Sequence, residues 1–164
     1  MAFALGKNDV NKINRVLREL LDQSESTGCL VCDHSGYVLA QQGVDTQDPL
    51  LISALGAGVF TASRELARIL GEDKFSAVFH QGEKKSIFIC AVNQDVLLVV
   101  IFTNEASVGL VRLYAGPAAD AIRGTLEEVR TRIDTMQEAP EYTFVLNDSK
   151  GGLFSKNTDA TKGQ

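Results

Sequence analysis

Residues 48–71 read DPLLISALGAGVFTASRELARILG, and residues 75–103 read FSAVFHQGEKKSIFICAVNQDVLLVVIFT. The first segment predicts one helix, because Asp48 is a favourable N-cap, proline suits the first helical position and Gly71 suits the end. The second segment predicts three strands. FSAVFH alternates, with Phe75, Ala77 and Phe79 predicted on one side and Ser76, Val78 and His80 on the other, which suits an edge strand. VLLVVIF is apolar throughout and indicates a central strand with both faces buried. The turn at 93–95 joins the last two strands into a hairpin.

The flanking segments extend this pattern. Residues 8–24 predict an amphipathic helix with Asn8 as its N-cap, and the runs CLVCD and YVLAQQ predict a hairpin whose turn uses Gly36. Residues 106–134 predict one further helix, kinked at Pro117 because proline removes a backbone hydrogen bond. The predicted fold is therefore α/β, in the order α-β-β-α-β-β-β-α, with an antiparallel five-stranded sheet between helical layers.

The composition indicates one globular domain. The chain has 164 residues, 45% of them hydrophobic, and a net charge of −5, which argues against nucleic acid as a partner. The longest apolar run, residues 96–102, is strand-sized, and the N-terminus lacks the pattern of a signal peptide, so we expect a cytoplasmic protein without membrane insertion. We predict a domain over residues 1–138 and a largely disordered C-terminal extension over 139–164.

The residue types that carry chemistry form no recognisable catalytic pattern. Cys29 and Cys32 have CxxC spacing, but in a strand they point to opposite faces, so a shared metal or disulfide is disfavoured and both are interpreted as small buried residues. His34 and His80 each lie in or beside a turn without partners for a triad. We therefore predict a protein that is not an enzyme and has no cofactor.

The helix over 49–70 has one side that does not match a solvated surface. On a helical wheel, a broad apolar side is predicted to pack on the sheet: Leu51, Ile52, Leu55, Val59, Ala62, Leu66, Ile69 and Leu70. The opposite side combines small and charged residues, namely Ala54, Ala57, Thr61, Arg64, Glu65 and Arg68. Phe60 lies on a flank of this side, beside Gly56. Glycines within a helix allow another backbone to approach closely, so we predict that this side is a protein interface. The alternative is an ordinary amphipathic helix.

The element order, the D-x-x-G hairpin at 33–36 and the run VLLVVIFTNEASVGLVRLY resemble the roadblock/dynein light chain family. Within it, ALGAGVFTASRELARILGEDKF and FHQGEKKSIF are similar to the MglB-like bacterial subfamily, over roughly residues 8–134. The resemblance implies a homodimer formed through the third strand and the second helix. It also implies that the dimer binds a Ras-like small GTPase, MglA, and stimulates GTP hydrolysis without an inserted arginine finger, in control of cell polarity or motility.

The resemblance also implies roles for individual residues. The surface that faces the GTPase would include Ala57, Thr61, Arg64 and Glu65, and the wheel adds Ala54 and Arg68. The dimer interface would involve Gly56, Phe60, Phe75, Ala77, Val78 and Phe79. Relatives carry alanine or glycine at the positions of Thr61 and Glu65, so Glu65 bears on affinity and partner choice.

Two other functions remain open from the sequence. A roadblock scaffold could tether a GTPase without accelerating hydrolysis, and a profilin-like or PAS-like domain could sense a small ligand. A measurement of phosphate release separates activator from scaffold. A ligand-sized cavity inside the sheet would favour the sensor, although the apolar strands give little reason to expect one.

Overall fold

The computed structural model describes residues 4–44 and 48–137. The predicted element order is confirmed, with these bounds: α1 Lys7–Ser24, β1 Gly28–Asp33, β2 Val38–Gln42, α2 Pro49–Ile69, β3 Ala77–His80, β4 Lys85–Ala91, β5 Val96–Thr103 and α3 Val108–Gln137. The predicted extension at 139–164 lies outside the described residues, so its disorder and the domain boundary at 138 stay predictions.

The five strands form one antiparallel sheet in the order β2-β1-β5-β4-β3. β5 is central, and its residues from Val96 to Phe102 are all buried, which confirms that the apolar run fills both faces. β3 lies at an edge, as its alternating sequence predicted. In the turn between β4 and β5, the side-chain oxygen of Asn93 accepts hydrogen bonds of 2.8 Å from the backbone N–H groups of Asp95 and Val96.

The two faces of the sheet carry different helices. α1 and α3 pack on one face, where Leu17, Val31 and Ile122 belong to the larger core cluster. α2 packs on the other face, against Leu30 and Val99. The fold is therefore the predicted one, an antiparallel sheet between helical layers.

Cys29 and Cys32 belong to the two different core clusters, so their side chains point to opposite faces of the sheet, as predicted. Both thiols and that of Cys90 are buried and free. Burial raises the pKa of each thiol to about 12, so the thiols stay protonated at neutral pH. Within residues 4–44 and 48–137, no group of three or more His, Cys, Asp or Glu side chains is placed to hold a metal ion.

Asp9 connects the two helices of the larger core. Its carboxylate accepts a hydrogen bond from the backbone N–H of Gly6 at 2.8 Å and another from the Arg132 guanidinium at 2.9 Å. Gly6 is therefore the N-cap of α1, and the prediction of Asn8 at this position is wrong, because Asp9 reaches back in the manner of a capping box. α3 continues through Pro117, which confirms a single helix in this segment.

Candidate functional site

Helix α2 presents its large apolar side chains to solvent. The residues of α2 that are buried against the sheet are Ser53, Gly56, Ala57, Phe60 and Ala67. All of them except Phe60 are small. The large residues of the predicted core side are 44% to 76% exposed: Leu51, Leu55, Val59, Leu66, Ile69 and Leu70. The predicted orientation is therefore wrong, and α2 is rotated by about 130° from it, at about 100° per residue.

The orientation follows from how closely α2 approaches the sheet. Gly36, at a φ of 86°, lies under the helix, and a Cβ built on it would be 2.7 Å from the Cα of Ala54. The hydroxyl of Ser53 donates a hydrogen bond to the carbonyl oxygen of Gly36. Gly56, assigned to a dimer interface from the sequence, faces β4 and β5, whose side chains would lie 3.7 Å from a Cβ there. Small residues on this side allow the close contact, and leucines in their place would prevent it.

Two residues predicted to be exposed on α2 are core residues. Ala57 is 2% exposed and Phe60 is 1% exposed. The ring of Phe60 packs on the ring of Phe75, with 5.3 Å between centroids, and on the imidazole of His34 at 6.1 Å. The predictions that Ala57 faces solvent and that Phe60 points outward are therefore wrong. Of the two mid-helix glycines that suggested close approach to a partner, Gly56 faces the chain's own sheet, whereas a Cβ on Gly58 would meet no atom within 4 Å.

The outward surface of α2 has two flanks of different chemistry. The leucine flank consists of Leu55, Val59, Leu66 and Leu70. The polar flank consists of Ala54, Thr61, Glu65 and Arg68, and it lies toward the β1–β2 turn because Ala54 contacts that turn. Between the flanks lie Leu51, Ala62 and Ile69.

Most of the residues that the sequence assigned to GTPase contact are accessible on the polar flank or, for Arg64, beside it. Ala54, Arg64, Glu65 and Arg68 are exposed and Thr61 is half-buried, whereas Ala57 is covered by the sheet. The Glu65 carboxylate and the Arg68 guanidinium form an ion pair of 3.0 Å, one helical turn apart. The charges of α2 are confined to its last third, so the rest of the outward surface is uncharged.

The edge strand β3 presents a short row of backbone groups. The N–H of Ala91 donates a hydrogen bond of 3.0 Å to the carbonyl of Ser76. Antiparallel pairs alternate between bonded and non-bonded, so the amide of Val78 also points to β4. The N–H and C=O groups of Ala77 and Phe79 consequently point to the free edge. Four outward backbone groups are thus available for another strand.

The side chains of β3 alternate as predicted, except at one position. Phe79 stacks on Phe102 with 6.0 Å between centroids, on the face that carries α1 and α3, and Ala77 packs in the same core. Val78 packs on the α2 side, and so does Phe75. The prediction that Phe75 shares a face with Ala77 and Phe79 is wrong, because β3 begins only at Ala77 and the strand alternation does not reach back to Phe75.

The β1–β2 turn holds α2 in place through Asp33 and its neighbours. The Asp33 carboxylate accepts hydrogen bonds from the N–H and hydroxyl of Ser35, at 2.9 and 2.7 Å, and from the N–H of Tyr37 at 2.9 Å. Burial acts to raise the pKa of Asp33, but these hydrogen bonds outweigh it and lower the pKa. His34 lies in this turn as predicted, with both ring nitrogens buried and without hydrogen-bond partners, so no second side chain positions it as a base.

The apolar character of α2 also satisfies a length and composition test for a membrane span. In the part of the chain that the structure describes, α2 is the one helix that satisfies it, and 17% of the window is buried. A single such helix is weak evidence for a membrane. The exposed apolar stripe from Leu51 to Ile69 extends over about 27 Å, at about 1.5 Å per residue. Most of the large apolar side chains that are exposed among the described residues belong to α2 or its end, and such a concentration is typical of an interaction surface.

Comparisons with known proteins agree with this geometry. The Roadblock/LC7 domain family model matches residues 12–102. The fold is similar to MglB of Myxococcus xanthus, with a TM-score of 0.67 and 34% identity, over 71% of this chain and 96% of that one. It is also similar to the gliding protein MglB of Thermus thermophilus, with a TM-score of 0.71 and 28% identity, over 77% of this chain and 97% of that one.

A sequence relative extends the comparison. A protein of Aquifex aeolicus is 24% identical over 133 residues, which cover 79% of this chain and 82% of that one. The family match spans more than half of the chain, from the middle of α1 to the end of β5, and includes both the polar flank and the β3 edge. This chain belongs to the roadblock/LC7 domain family.

Proposed function

We propose that this protein is a homodimeric regulator that binds a Ras-like small GTPase of the MglA type and stimulates its GTP hydrolysis, in the cytoplasm and in the control of cell polarity or motility. The observation that supports this most is the exposed apolar stripe of α2, which a single chain leaves uncovered. The similarity to the MglB proteins supports the choice of partner. The protein supplies no catalytic residue of its own and acts by repositioning groups of the GTPase.

The leucine flank and the β3 edge are the proposed dimer interface. A two-fold axis beside Val78 pairs Ala77 of each protomer with Phe79 of the other, and this register uses all the outward N–H and C=O groups of the edge. The two sheets then join into one of ten strands. Pairing also brings apolar surface of the two α2 helices out of water, which is the larger favourable contribution.

A pair of proline variants tests this interface. Phe79→Pro removes an outward N–H and leaves the β3–β4 ladder intact, so a folded monomer is expected. Val78→Pro removes an N–H that bonds β4, so it should lower stability as well. Sedimentation and urea unfolding separate the two effects. A Phe79→Pro variant that stays fully dimeric would contradict pairing through β3.

The proposed contact surface for the GTPase consists of the polar flank and of the uncharged residues between the two flanks, Leu51, Ala62 and Ile69. Ala54 is small and exposed, and Glu65 and Arg68 offer charge of both signs. Ala57 is replaced in this proposal by Ala54, because a buried methyl group contacts no partner. Glu65 is the residue most suited to select among GTPases, because a carboxylate favours a basic side chain opposite it.

The proposed mechanism requires that no single arginine of this protein accounts for most of the rate increase. An arginine finger contributes about 10³ to 10⁵ in rate. Arg68 is held by Glu65, so Arg64 is the better candidate for a finger. If the GTPase supplies its own catalytic groups, Arg64→Ala should cost about tenfold or less at saturation. A loss of about a thousandfold with binding intact would identify Arg64 as a finger.

The experiment that tests the function is phosphate release from a GTP-loaded MglA-type GTPase, with and without this protein, under single-turnover conditions. An increase in rate that saturates with dimer concentration is expected. Binding without an increase would identify a tethering scaffold instead. Absence of binding would exclude both. The ligand-sensor alternative requires an enclosed cavity, and the groove that borders β3 is open to solvent, so it does not support that alternative.

A further inference from the structure

An open groove of about 610 Å³ lies on the face of the sheet opposite α2. Its floor includes Ala77 of β3 and Phe88 of β4, and its wall is α3 between Arg112 and Arg123. Phe79, next along β3, is 38% exposed on the same face. The groove ends at the β3 edge, so within the described chain it has a wall on one side and is open on the other.

The dimer proposed above would close this groove into a trough, and the inference rests on that dimer. α3 packs on β4 and β5, so its axis lies roughly between them. Strands are spaced about 4.8 Å apart, and four spacings separate the axes of α3 and its symmetry mate, or about 19 Å. Packed helices lie about 8 to 10 Å apart, so the space between the two α3 helices has room for one more helix.

We propose that this trough binds one amphipathic helix from a partner protein, with its apolar stripe on the floor and acidic side chains toward the walls. The floor at the two-fold axis consists of Ala77 and Phe79 from both protomers, which is an apolar surface. Each wall carries Arg112, whose guanidinium lies 6.0 Å from the Phe88 ring centroid, and Lys74 borders the same groove.

The excess of positive charge on the trough walls favours a partner helix with acidic side chains. Among residues 4–44 and 48–137, Arg112 and Lys74 form no ion pair, whereas Arg123 is already held by Asp120 at 2.6 Å. Glu72 lines the groove as well, so each protomer contributes three cations (Lys74, Arg112, Arg123) and two carboxylates (Glu72, Asp120), and the trough of the dimer keeps a net positive charge. An extended strand does not fit as well, because the dimer uses the outward hydrogen-bonding groups of β3.

The position of the trough has a consequence for regulation. It lies on the face of α1 and α3, and the GTPase surface lies on the face of α2, so both can be occupied in one complex. A helix in the trough contacts both protomers and would stabilise the dimer. The partner helix would therefore raise the concentration of the form that binds the GTPase, without touching the GTPase itself.

Two glycines of α3 provide a matched pair of variants. A Cβ on Gly116 or on Gly124 meets no atom within 4 Å, but only Gly116 lines the groove. Gly116→Leu fills the trough and Gly124→Leu does not. Because Gly116 precedes Pro117, a side chain there is less favourable in a helix than at Gly124, so urea unfolding of both variants accompanies the binding measurement. The probe is a fluorescein-labelled helical peptide with a leucine stripe and glutamate flanks, compared with the same peptide carrying lysine flanks. Anisotropy with the full-length protein measures binding.

The wild-type dimer should bind the glutamate peptide, one per dimer, and bind the lysine peptide at least about tenfold more weakly. Gly116→Leu should weaken binding at least about tenfold and Gly124→Leu by less than about twofold. Arg112→Glu should reverse the preference between peptides.

Three results of the peptide measurements would overturn the proposal. One is a dimer that binds neither peptide, and another is binding that Gly116→Leu leaves unchanged. The third is binding that appears only after Phe144→Ser and Leu153→Ser substitutions, which would assign the trough to the chain's own C-terminal segment. A monomer in sedimentation would overturn the dimer and the trough together, whereas a dimer that activates a GTPase but binds no peptide would overturn the trough alone.

Discussion

Gly36 and Ala54 meet so closely that a Cβ on Gly36 would lie 2.7 Å from the Cα of Ala54. This contact joins the β1–β2 turn to α2 and fixes which side of the helix faces solvent. Gly36 also has a φ of 86°, which favours glycine. The orientation of the proposed interaction surface therefore depends on a residue outside the helix.

Gly36→Ala should lower the free energy of unfolding by about 2 kcal/mol or more, because the methyl group overlaps backbone and also strains a positive φ. Gly71→Ala is the matched control. Gly71 has a φ of 83° and no atom within 4 Å of its Cβ position, so the control should cost about 1 kcal/mol from strain alone. Urea unfolding measures both, and equal losses would contradict a packing role for Gly36.

Ala57→Arg should unfold or strongly destabilise the protein, by about 3 kcal/mol or more, because Ala57 is buried and a charge there has no partner. Ala54→Arg, on the exposed polar flank, should change stability by about 0.5 kcal/mol or less and should block GTPase stimulation by steric conflict. Thermal unfolding and phosphate release measure the two effects. If Ala54→Arg activates the GTPase normally, the contact surface lies elsewhere.

Leu66→Glu should give folded monomers. Leu66 is 58% exposed in the single chain, so the change costs the fold little. In the dimer two leucines lose burial worth about 1.5 to 3 kcal/mol each, so the dissociation constant should rise by about a hundredfold or more. Leu113→Glu is the control, since Leu113 is 64% exposed on α3. Sedimentation that finds both variants equally dimeric would contradict the leucine flank as an interface.

Asp9 should contribute to stability in a pH-dependent way. The hydrogen bond from Arg132, with that from Gly6, lowers the pKa of Asp9 below its ordinary value of 3.8. The contribution is therefore fully present above pH 3.8 and is lost as the pH falls below it. Asp9→Asn should be less stable than wild type at neutral pH, and the difference should shrink in acid. Unfolding curves of both proteins over an acid series measure the difference, and a difference that stays constant into acid would contradict a charged role for Asp9.

The sequence predicts the parts of this fold that depend on local chemistry. Asp48, Pro49 and Gly71 bound α2 where capping rules place them, and the Asn93 turn and the uniformly apolar β5 are found as expected. The edge position of β3 also follows from its own alternation. These features are set by residues close to one another in the chain, so a single sequence contains the information.

The orientation of α2 could not be predicted in the same way. A helical wheel places the largest apolar residues in the core, and that rule assumes that one chain buries its own apolar surface. Here Leu66 and Ile69 remain exposed, and apart from Phe60 the buried side consists of small residues such as Ser53 and Gly56. The features that determine the orientation are Gly36 in the β1–β2 turn and the small residues of α2 itself. They indicate the buried side only once the contact between Gly36 and Ala54 is known, and residue spacing does not reveal that contact.

The length of β3 sets how the proposed dimer would respond to protein abundance. Its four residues allow four intersubunit hydrogen bonds in the register proposed here, worth about 2 to 6 kcal/mol at about 0.5 to 1.5 each. Association costs about 4 to 15 kcal/mol, so the strand alone does not hold two chains together. In the proposed dimer the leucines of α2 would supply the difference, and a chain diluted below its dissociation constant would expose them. At low expression α2 would therefore be accessible to proteases, and monomers that find no partner chain would be degraded.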